Sequence, residues 1–282
     1  MVQNQALPPL RSYLYVPGSN PHMIEKALTT EADAIILDLE DAVALNRKAE
    51  AREYVAQVLQ VEHEKPIFVR INALSSGLAD LDIAAVASPW LAGLSLPKTG
   101  APEEVRYVAA QLERLGCQAG IHCLLESALG VEQAFAIARA HPRVVSIGLG
   151  EADLRADLSV SDDTGLSYAR SRIVVAARAA KLPPPIQSVY PHIRDAGGLR
   201  QSTEQGRRLG FFGRAAIHPQ QVPIINAIFT PTEAEIAEAR ALVEKLEQAS
   251  AAGTGAFALP DGRFVDLAIV ESARRTLLLA EK

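Results

Sequence analysis

Ile121-His-Cys-Leu-Leu-Glu126 and Val144-Val-Ser-Ile-Gly-Leu-Gly-Glu-Ala-Asp153 are two short apolar runs, each followed by acid. Glu126 and Asp153 stand 27 residues apart. One strand–helix–strand unit takes about 30 residues, so the spacing predicts two neighbouring parallel strands with carboxylates at matching ends. In an α/β barrel that end is the active-site face, and two acids there can share a hard metal ion. The bland alternative is that each acid caps the helix behind it, since Asp is a good N-cap.

The same rhythm extends in both directions. Eight apolar segments read as strands: Ser12–Val16, Ala34–Leu39, Ile67–Ile71, Gly93–Leu96, Ile121–Leu125, Val144–Leu149, Ile186–Tyr190 and Arg214–Ile217. Most are continuous hydrophobic runs, as parallel strands covered on both faces require. They start about 22 to 42 residues apart, leaving one helix per crossover. Eight units favour a (β/α)8 TIM barrel over an open sheet, and no G-x-G-x-x-G follows the first strand to suggest a dinucleotide fold. Ser19-Asn20-Pro21 offers a polar cap and a proline at the first helical position. Thr230-Pro-Thr-Glu233 reads as a capping box opening a helix beyond the eighth strand, with Ile236, Val243 and Leu246 on it. A Gly-rich break, Ala251 to Ala256, and a turn at Asp261-Gly262 precede a last helical stretch, Phe264 to Leu279. The expected organisation is a barrel over 1–229 and a C-terminal helical arm over 230–282.

At 282 residues the chain is long enough for such a barrel plus an appendage. Hydrophobic residues make up 49% and charged residues 22%, an ordinary globular balance. A net charge of −5 argues against nucleic acid or an anionic membrane as the main partner, although a local cationic pocket can still take an anionic substrate. The two cysteines, Cys117 and Cys123, have no metal-ligand spacing and read as structural thiols. Met1 to Pro9 carries no signal-peptide pattern, and no run of 18 apolar residues exists. The expectation is a cytoplasmic protein.

Residues just past the strands would gather around one pocket. They are Asp38, Glu40 and Asp41, then Arg70 and Asn72, Lys98, Glu126, Glu151 and Asp153, Tyr190, and His218. Buried charges need partners or an ion, so their convergence points to a site. Glu126 and Asp153 are the expected metal ligands, and hard oxygen donors without a Cys or His pair favour Mg2+ over Zn2+. Arg70 can hold a substrate carboxylate with two parallel hydrogen bonds, or pair internally with Asp38, Glu40 or Asp41. Those three acids read as supports for Arg70 or for metal-bound water. Gly18-Ser19-Asn20 could touch an anion at a helix start, but reads equally well as a cap.

These residues also carry a resemblance. Arg11-Ser-Tyr-Leu-Tyr-Val-Pro-Gly18, Ala32-Asp-Ala-Ile-Ile-Leu-Asp-Leu-Glu-Asp-Ala-Val43, Val69-Arg-Ile-Asn72 and Leu96-Pro-Lys98 resemble the citrate lyase β-subunit-like proteins. So do Leu125-Glu-Ser-Ala128, Gly150-Glu-Ala-Asp-Leu154, Tyr168-Ala-Arg-Ser-Arg172 and Ala216-Ile-His-Pro219. The resemblance runs from about Arg11 to Arg275 and extends to the malyl-CoA lyases and, more distantly, the 2-keto-3-deoxy acid aldolases. It implies a Mg2+-dependent barrel that makes or breaks a carbon–carbon bond beside a CoA thioester carbonyl. On it, Glu126 and Asp153 match the metal ligands and Arg70 the residue gripping the acyl or keto-acid carboxylate. Asp266, in Asp261-Gly-Arg-Phe-Val-Asp266, matches a catalytic acid/base on a lid reaching a neighbouring subunit, in trimers or hexamers. Arg11 to Pro17 and Ile217-His218-Pro219 resemble parts of a CoA channel, and with Lys98 complete the expected substrate contacts. In many relatives an acid directly precedes the ligand Asp, whereas here Ala152 does.

The implied activity is that of a lyase or synthase for a small 3-hydroxyacyl-CoA of malyl-, citramalyl- or citryl-CoA type, working through a CoA enolate. Two alternatives stand beside it. One is a subunit of a citrate lyase complex acting with an acyl carrier protein; the other is a class II keto-acid aldolase that needs no CoA.

Overall fold

The computed structural model describes residues 9–251, 257–258, 264–265 and 267–280. Its contacts divide the chain into two compact units, Met1–Ala227 and Ile228–Lys282. The first unit alternates strand and helix throughout. In order it holds β1 (Ser12–Pro17), α1 (Pro21–Leu28), β2 (Ala34–Asp38), α2 (Lys48–Val58), β3 (Ile67–Arg70) and α3 (Ala79–Val86). There follow β4 (Leu91–Leu96), α4 (Pro102–Arg114), β5 (Gly120–Leu125), α5 (Ala128–Glu132), α6 (Ala134–Ala138) and β6 (Val144–Leu149). Then come α7 (Glu151–Leu158), α8 (Ser167–Ala179), α9 (Ala196–Leu209) and β7 (Arg214–Ala216). Helix α10 (Val222–Phe229) carries the chain across the boundary.

The seven strands form one all-parallel sheet in the order β6-β5-β4-β3-β2-β1-β7, curled in the manner of a TIM-barrel-like fold. Strand β2 is buried at every position, which explains why Ala34-Ile-Ile-Leu-Asp38 has no alternation. Asn20 caps α1 by accepting from Met23 N at 3.1 Å, with Pro21 in the first turn. The Gly18–Asn20 segment is therefore a helix start in the first instance.

The expected seventh strand, Ile186–Tyr190, does not form. Only two isolated parallel bridges exist there, Ile186 to Gly148 of β6 and Gln187 to Arg214 of β7. The cause is in the sequence: Pro183-Pro184-Pro185 before it and Pro191 after it have no N–H to give a ladder. Backbone pairing stops at Gln187, whose N donates to Gly213 O and whose O accepts from Ala215 N, both at 3.0 Å, and side chains satisfy later carbonyls. Arg214 Nε donates to Ser188 O at 3.0 Å, and Gln221 Nε2 donates to Tyr190 O at 2.9 Å.

Register stacks the residues of the sheet into rows. One row runs Tyr15, Ile36, Phe68, Gly93, Gly120 across five strands. The next runs Pro17, Asp38, Arg70, Ser95, His122, Ser146 and is polar from Asp38 onward. In the first row Gly93 leaves room for the Phe68 ring, which packs edge-on to Tyr13 at 5.9 Å between centroids, and Gly120 leaves room for Val145. In the second, burial pulls the His122 pKa down to about 4, and its Nδ1 lies 2.7 Å from Ser146 Oγ. The charged end of this polar row lies at the C-terminal ends of β2 and β3.

In the second unit, α11 (Glu233–Ala251), the antiparallel pair β8 (Phe257–Ala258) and β9 (Phe264–Val265), and α12 (Leu267–Ala280) follow one another. Ala239, Leu242 and Leu246 pack on Val270 and Ala273, one apolar stripe from each helix. The expected capping box lies two residues later than read: Glu235 N donates to Thr232 Oγ1 at 3.2 Å, and Thr232 N donates to Glu235 Oε2 at 2.8 Å. The last helix starts at Leu267, not Phe264, because Phe264 and Val265 pair with β8. The Gly-rich break at 252–256 and the turn at Asp261-Gly262 lie outside the described residues. Among the described residues no helix is long and apolar enough to cross a membrane.

A Cβ on Gly93 would stand 2.8 Å from the Phe68 ring, well inside contact distance. Gly93→Ala is expected to destabilise the fold by about 1–3 kcal/mol through overpacking. Urea unfolding followed by circular dichroism checks this, and an unchanged midpoint would refute the packing of that row.

Candidate active site at the strand ends

Asp38 and Arg70 are the last residues of neighbouring strands, β2 and β3, and register places them side by side. Arg70 Nε and Nη2 donate to the two oxygens of Asp38 at 2.7 and 2.6 Å. Asp38 also accepts from Glu40 N at 2.9 Å and Ala42 N at 3.0 Å, so a carboxylate that is 1% exposed has four donors. The Arg70 guanidinium carbon lies 5.0 Å from the centroid of the Tyr15 ring. Burial works against the charge of Arg70, but the Asp38 hydrogen bonds and the nearby acids outweigh it and raise its pKa. Asp38 thus takes one edge of the guanidinium. Near the other edge, Glu40 Oε2 forms an ion pair with Nη1 at 3.1 Å, outside hydrogen-bond geometry.

Glu40 extends the network to the next strand. Its Oε1 accepts from Lys98 Nζ at 2.6 Å. Lys98 follows β4 with a φ of 52°, a left-handed conformation that costs a non-glycine residue free energy. From there Nζ also lies 3.9 Å from Asp41 Oδ1 and 4.0 Å from Glu126 Oε2.

Glu126 follows β5 and is 6% exposed. It does not cap the next helix: Ser127 does, accepting from Gly130 N at 3.2 Å. Gly150 makes its place, because a Cβ there would lie 2.5 Å from Glu126 Cγ. Burial, then the negative charges of Glu40 and Asp153, push the Glu126 pKa up to about 8 against the pull of Lys98 and Arg70. Its Oε2 is buried without a hydrogen-bond partner. Asp153 is exposed in the first turn of α7, close enough to perturb Glu126.

Five carboxylates, Asp38, Glu40, Asp41, Glu126 and Asp153, therefore face two cations, Arg70 and Lys98. The excess negative charge and the orphaned Glu126 oxygen fit a divalent cation, and all-oxygen donors fit a hard one. Among the described residues no group of three or more His, Cys, Asp or Glu side chains is gathered to hold a metal ion alone. Such a pair suits Mg2+, which usually takes one or two carboxylates and fills its other positions with water and substrate.

The fold and these motifs are shared with known proteins. Residues 11–219 match the HpcH/HpaI aldolase/citrate lyase family. The chain belongs to that family. It is 36% identical over 278 residues to a (3S)-malyl-CoA thioesterase of Cereibacter sphaeroides, covering 97% of this chain and 95% of the relative. It is 34% identical over 283 residues to the citrate lyase subunit beta of Escherichia coli, covering 96% and 93%. A crystal structure of CitE from Mycobacterium tuberculosis, in complex with magnesium, acetoacetate and coenzyme A, superposes with a TM-score of 0.81 at 29% identity. That match covers 98% of this chain and 99% of that one.

Of the residues expected in the site, the structure links Arg70, Lys98 and Glu126 in one electrostatic network, with Asp153 beside it. Arg11 is elsewhere. It precedes β1, at the opposite end of the strands, and binds Asp33 through its backbone N, Nε and Nη2 at 2.7, 3.0 and 2.8 Å. Its place in the amino-terminal motif reflects a structural ion pair. His218 is half-buried, and its Nδ1 accepts from Gln220 N at 3.2 Å as the cap of the turn that begins at Pro219. Asp266 lies outside the described residues. Glu151 is bound on both oxygens by Arg170, at 2.8 and 2.7 Å, which gives it a partner of its own. Sequence reasoning missed Tyr15, Lys48 and Arg170. Tyr15 offered a signal in the alternating pattern of β1, and Arg170 in the Tyr168-Ala-Arg-Ser-Arg172 motif; Lys48, a cation on a helix, offered none.

A carboxylate with a folded pKa of about 8 and an unfolded value near 4.5 binds an extra proton when folded between those limits. Its contribution to stability therefore falls as pH rises through that window. In chelator, Glu126→Gln is expected to gain stability over the wild type by on the order of a few kcal/mol from pH 5 to pH 8.5. Paired thermal melts across that range check it, and a pH-independent difference would remove the case for a buried, strained Glu126.

Proposed function

We propose that the protein is a Mg2+-dependent carbon–carbon lyase or synthase acting on a small 3-hydroxyacyl-CoA thioester. The observation that carries this reading is the buried Glu126 Oε2, which has no hydrogen bond and lies 4.0 Å from Lys98 Nζ, with Asp153 near enough to perturb it and a half-buried Arg70 in the same network. Glu126 and Asp153 would hold the metal, which supplies Lewis-acid polarisation of the keto-acid carbonyl, worth several kcal/mol. The M. tuberculosis relative that binds magnesium, acetoacetate and coenzyme A supports the same ligand set here.

The residues then divide the work. Arg70, with one edge fixed by Asp38, presents the other to the keto-acid carboxylate and fixes its orientation. Lys98 lies between Glu40 and Glu126 and adds positive charge where the keto acid would bind. Asp266, on the C-terminal arm, serves as the acid/base: in condensation it takes the proton α to the thioester, and in cleavage it returns that proton to the enolate carbon. A carboxylate so placed gives roughly 10²–10⁴-fold in rate. An arm that covers the pocket excludes water, and its delivery from a second subunit would make the enzyme a homotrimer or hexamer. His218 and Pro219 would border the CoA path. Relatives named for thioesterase and citrate lyase subunit beta leave the acyl group open, as well as hydrolysis after condensation and an acyl carrier partner.

The test is a panel of acyl-CoA and keto-acid pairs with Mg2+, read as carbon–carbon bond cleavage and free thiol release. Glu126→Ala or Asp153→Ala is expected to abolish turnover, and Asp266→Ala to lower kcat by 10²-fold or more with Mg2+ affinity kept. Full activity after EDTA treatment would defeat the metal role, and an unaltered rate in Asp266→Ala would defeat the acid/base role. Turnover of free keto acids alone would favour a CoA-independent aldolase.

A further inference from the structure

Helix α2 begins with the wrong charges. Arg47, Lys48 and Arg52 crowd its N-terminus, where the helix dipole repels cations and Glu50 is the acid of the first turn. Arg47 and Lys48 reach directly to the loops after β1 and β2, and Arg52 reaches the loop after β3 through Asp82 of α3. Arg47 Nη2 donates to Ser19 O, after β1, at 2.9 Å. Lys48 Nζ donates to Leu39 O and Glu40 O, after β2, at 2.8 and 2.7 Å. Arg52 Nε donates to Asp82 Oδ1 at 2.9 Å, and Asp82 Oδ2 accepts from Asn72 N and Nδ2, after β3, at 2.8 and 2.6 Å. One helix start thus braces three successive loops on the face that carries the site.

Lys48 acts nearest the chemistry. The peptide before Glu40 is held through Leu39 O by Lys48 and through Glu40 N by Asp38, and Leu39 N donates to Arg70 O at 2.9 Å. The peptide after Glu40 is held through Glu40 O by the same ammonium and by Val43 N at 3.0 Å, which closes a turn over Glu40 to Val43. With both flanking peptides pinned, the Glu40 backbone has no freedom to turn, and its carboxylate is aimed between Arg70 and Lys98. Bonds from an ammonium to carbonyls are charge-assisted, about twice as strong as neutral ones, and two on one nitrogen fix a loop that has no regular structure.

We propose that Lys48 is a positioning residue of the active site: it sets the Glu40 carboxylate and, through it, the outer edge of Arg70 that receives the substrate carboxylate. The substrate half of this statement rests on the proposed function; the placement of Glu40 does not. A purely structural Lys48 would show itself in thermal stability and nowhere else.

The test uses the full chain with Lys48→Met, Lys48→Arg, Glu40→Gln and the Lys48→Met/Glu40→Gln double variant. Amide hydrogen exchange needs no ligand: protection at Glu40 N and Ala42 N is expected to fall at least tenfold in Lys48→Met and to return in Lys48→Arg. Unchanged protection overturns the proposal, whatever the enzyme does. With Mg2+ present, oxaloacetate titrated by calorimetry is expected to bind Lys48→Met about tenfold more weakly, with Mg2+ affinity altered less than twofold. Adding Lys48→Met to Glu40→Gln should then cost less than a further twofold. Full multiplication of the two effects, or a lower melting temperature with oxaloacetate affinity intact, overturns it. A wild type that binds no oxaloacetate and works in EDTA refutes the proposed function instead, while amide exchange still decides the role of Lys48.

Discussion

The buried pair of Asp38 and Arg70 is the constraint around which the catalytic face is built. Breaking a buried ion pair by removing one member costs about 3–5 kcal/mol, because the survivor keeps its charge without its partner. The geometry leaves neither group any slack. Two of Asp38's four donors come from the Arg70 guanidinium and two from the backbone of its own loop, so strand and loop are fixed by one carboxylate. Register between β2 and β3 places the partners opposite each other. A slip of one residue would send Arg70 to the other face of the sheet and strand both charges.

From that pair the charge balance spreads outward through Glu40 and Glu126, both buried, to the more exposed Lys98. Glu40 is shared between Arg70 and Lys98, and its pKa is raised by burial despite both cations. Glu126 is next and ends on an oxygen without a hydrogen bond. The protein tolerates this because the site is short of positive charge where a divalent cation would supply it. Family membership and the site's own electrostatics thus lead to the same expectation by independent routes.

Much of this was legible in the sequence, for reasons that differ by residue. Continuous apolar runs announced the parallel strands, since burial on both faces removes alternation. The carboxylate after β5 was visible because charge beside an apolar run is conspicuous. The proline-flanked segment at Ile186–Tyr190 was misread, although its apolar composition is that of a strand, because the missing N–H groups of Pro183 to Pro185 decide against a ladder. The pairing of Arg11 with Asp33 was not legible, because a motif records that a residue is needed without saying at which end of its strand it sits. The partners of Asp38 could not be chosen from sequence, since Arg70 had three acids within reach and only register selects among them. Lys48 was invisible for a plainer reason: its partners are carbonyl oxygens, which every residue has.

The residues of the face also separate into fixed and adjustable groups. Asp38, Arg70 and Glu40 are buried or nearly so and tied to strand ends or pinned loops, which is what orienting a carboxylate requires. Lys98 has a side chain 42% exposed, and Asp153 is exposed on a helix turn. The adjustable pair flanks Glu126 on two sides. On the proposed reading, a cation entering beside Glu126 would meet these two exposed side chains before the buried ones. On the same reading, rigidity lies where a substrate carboxylate would be aimed and exposure where an ion would come and go. A site with the reverse arrangement would hold its metal and lose the orientation of its substrate.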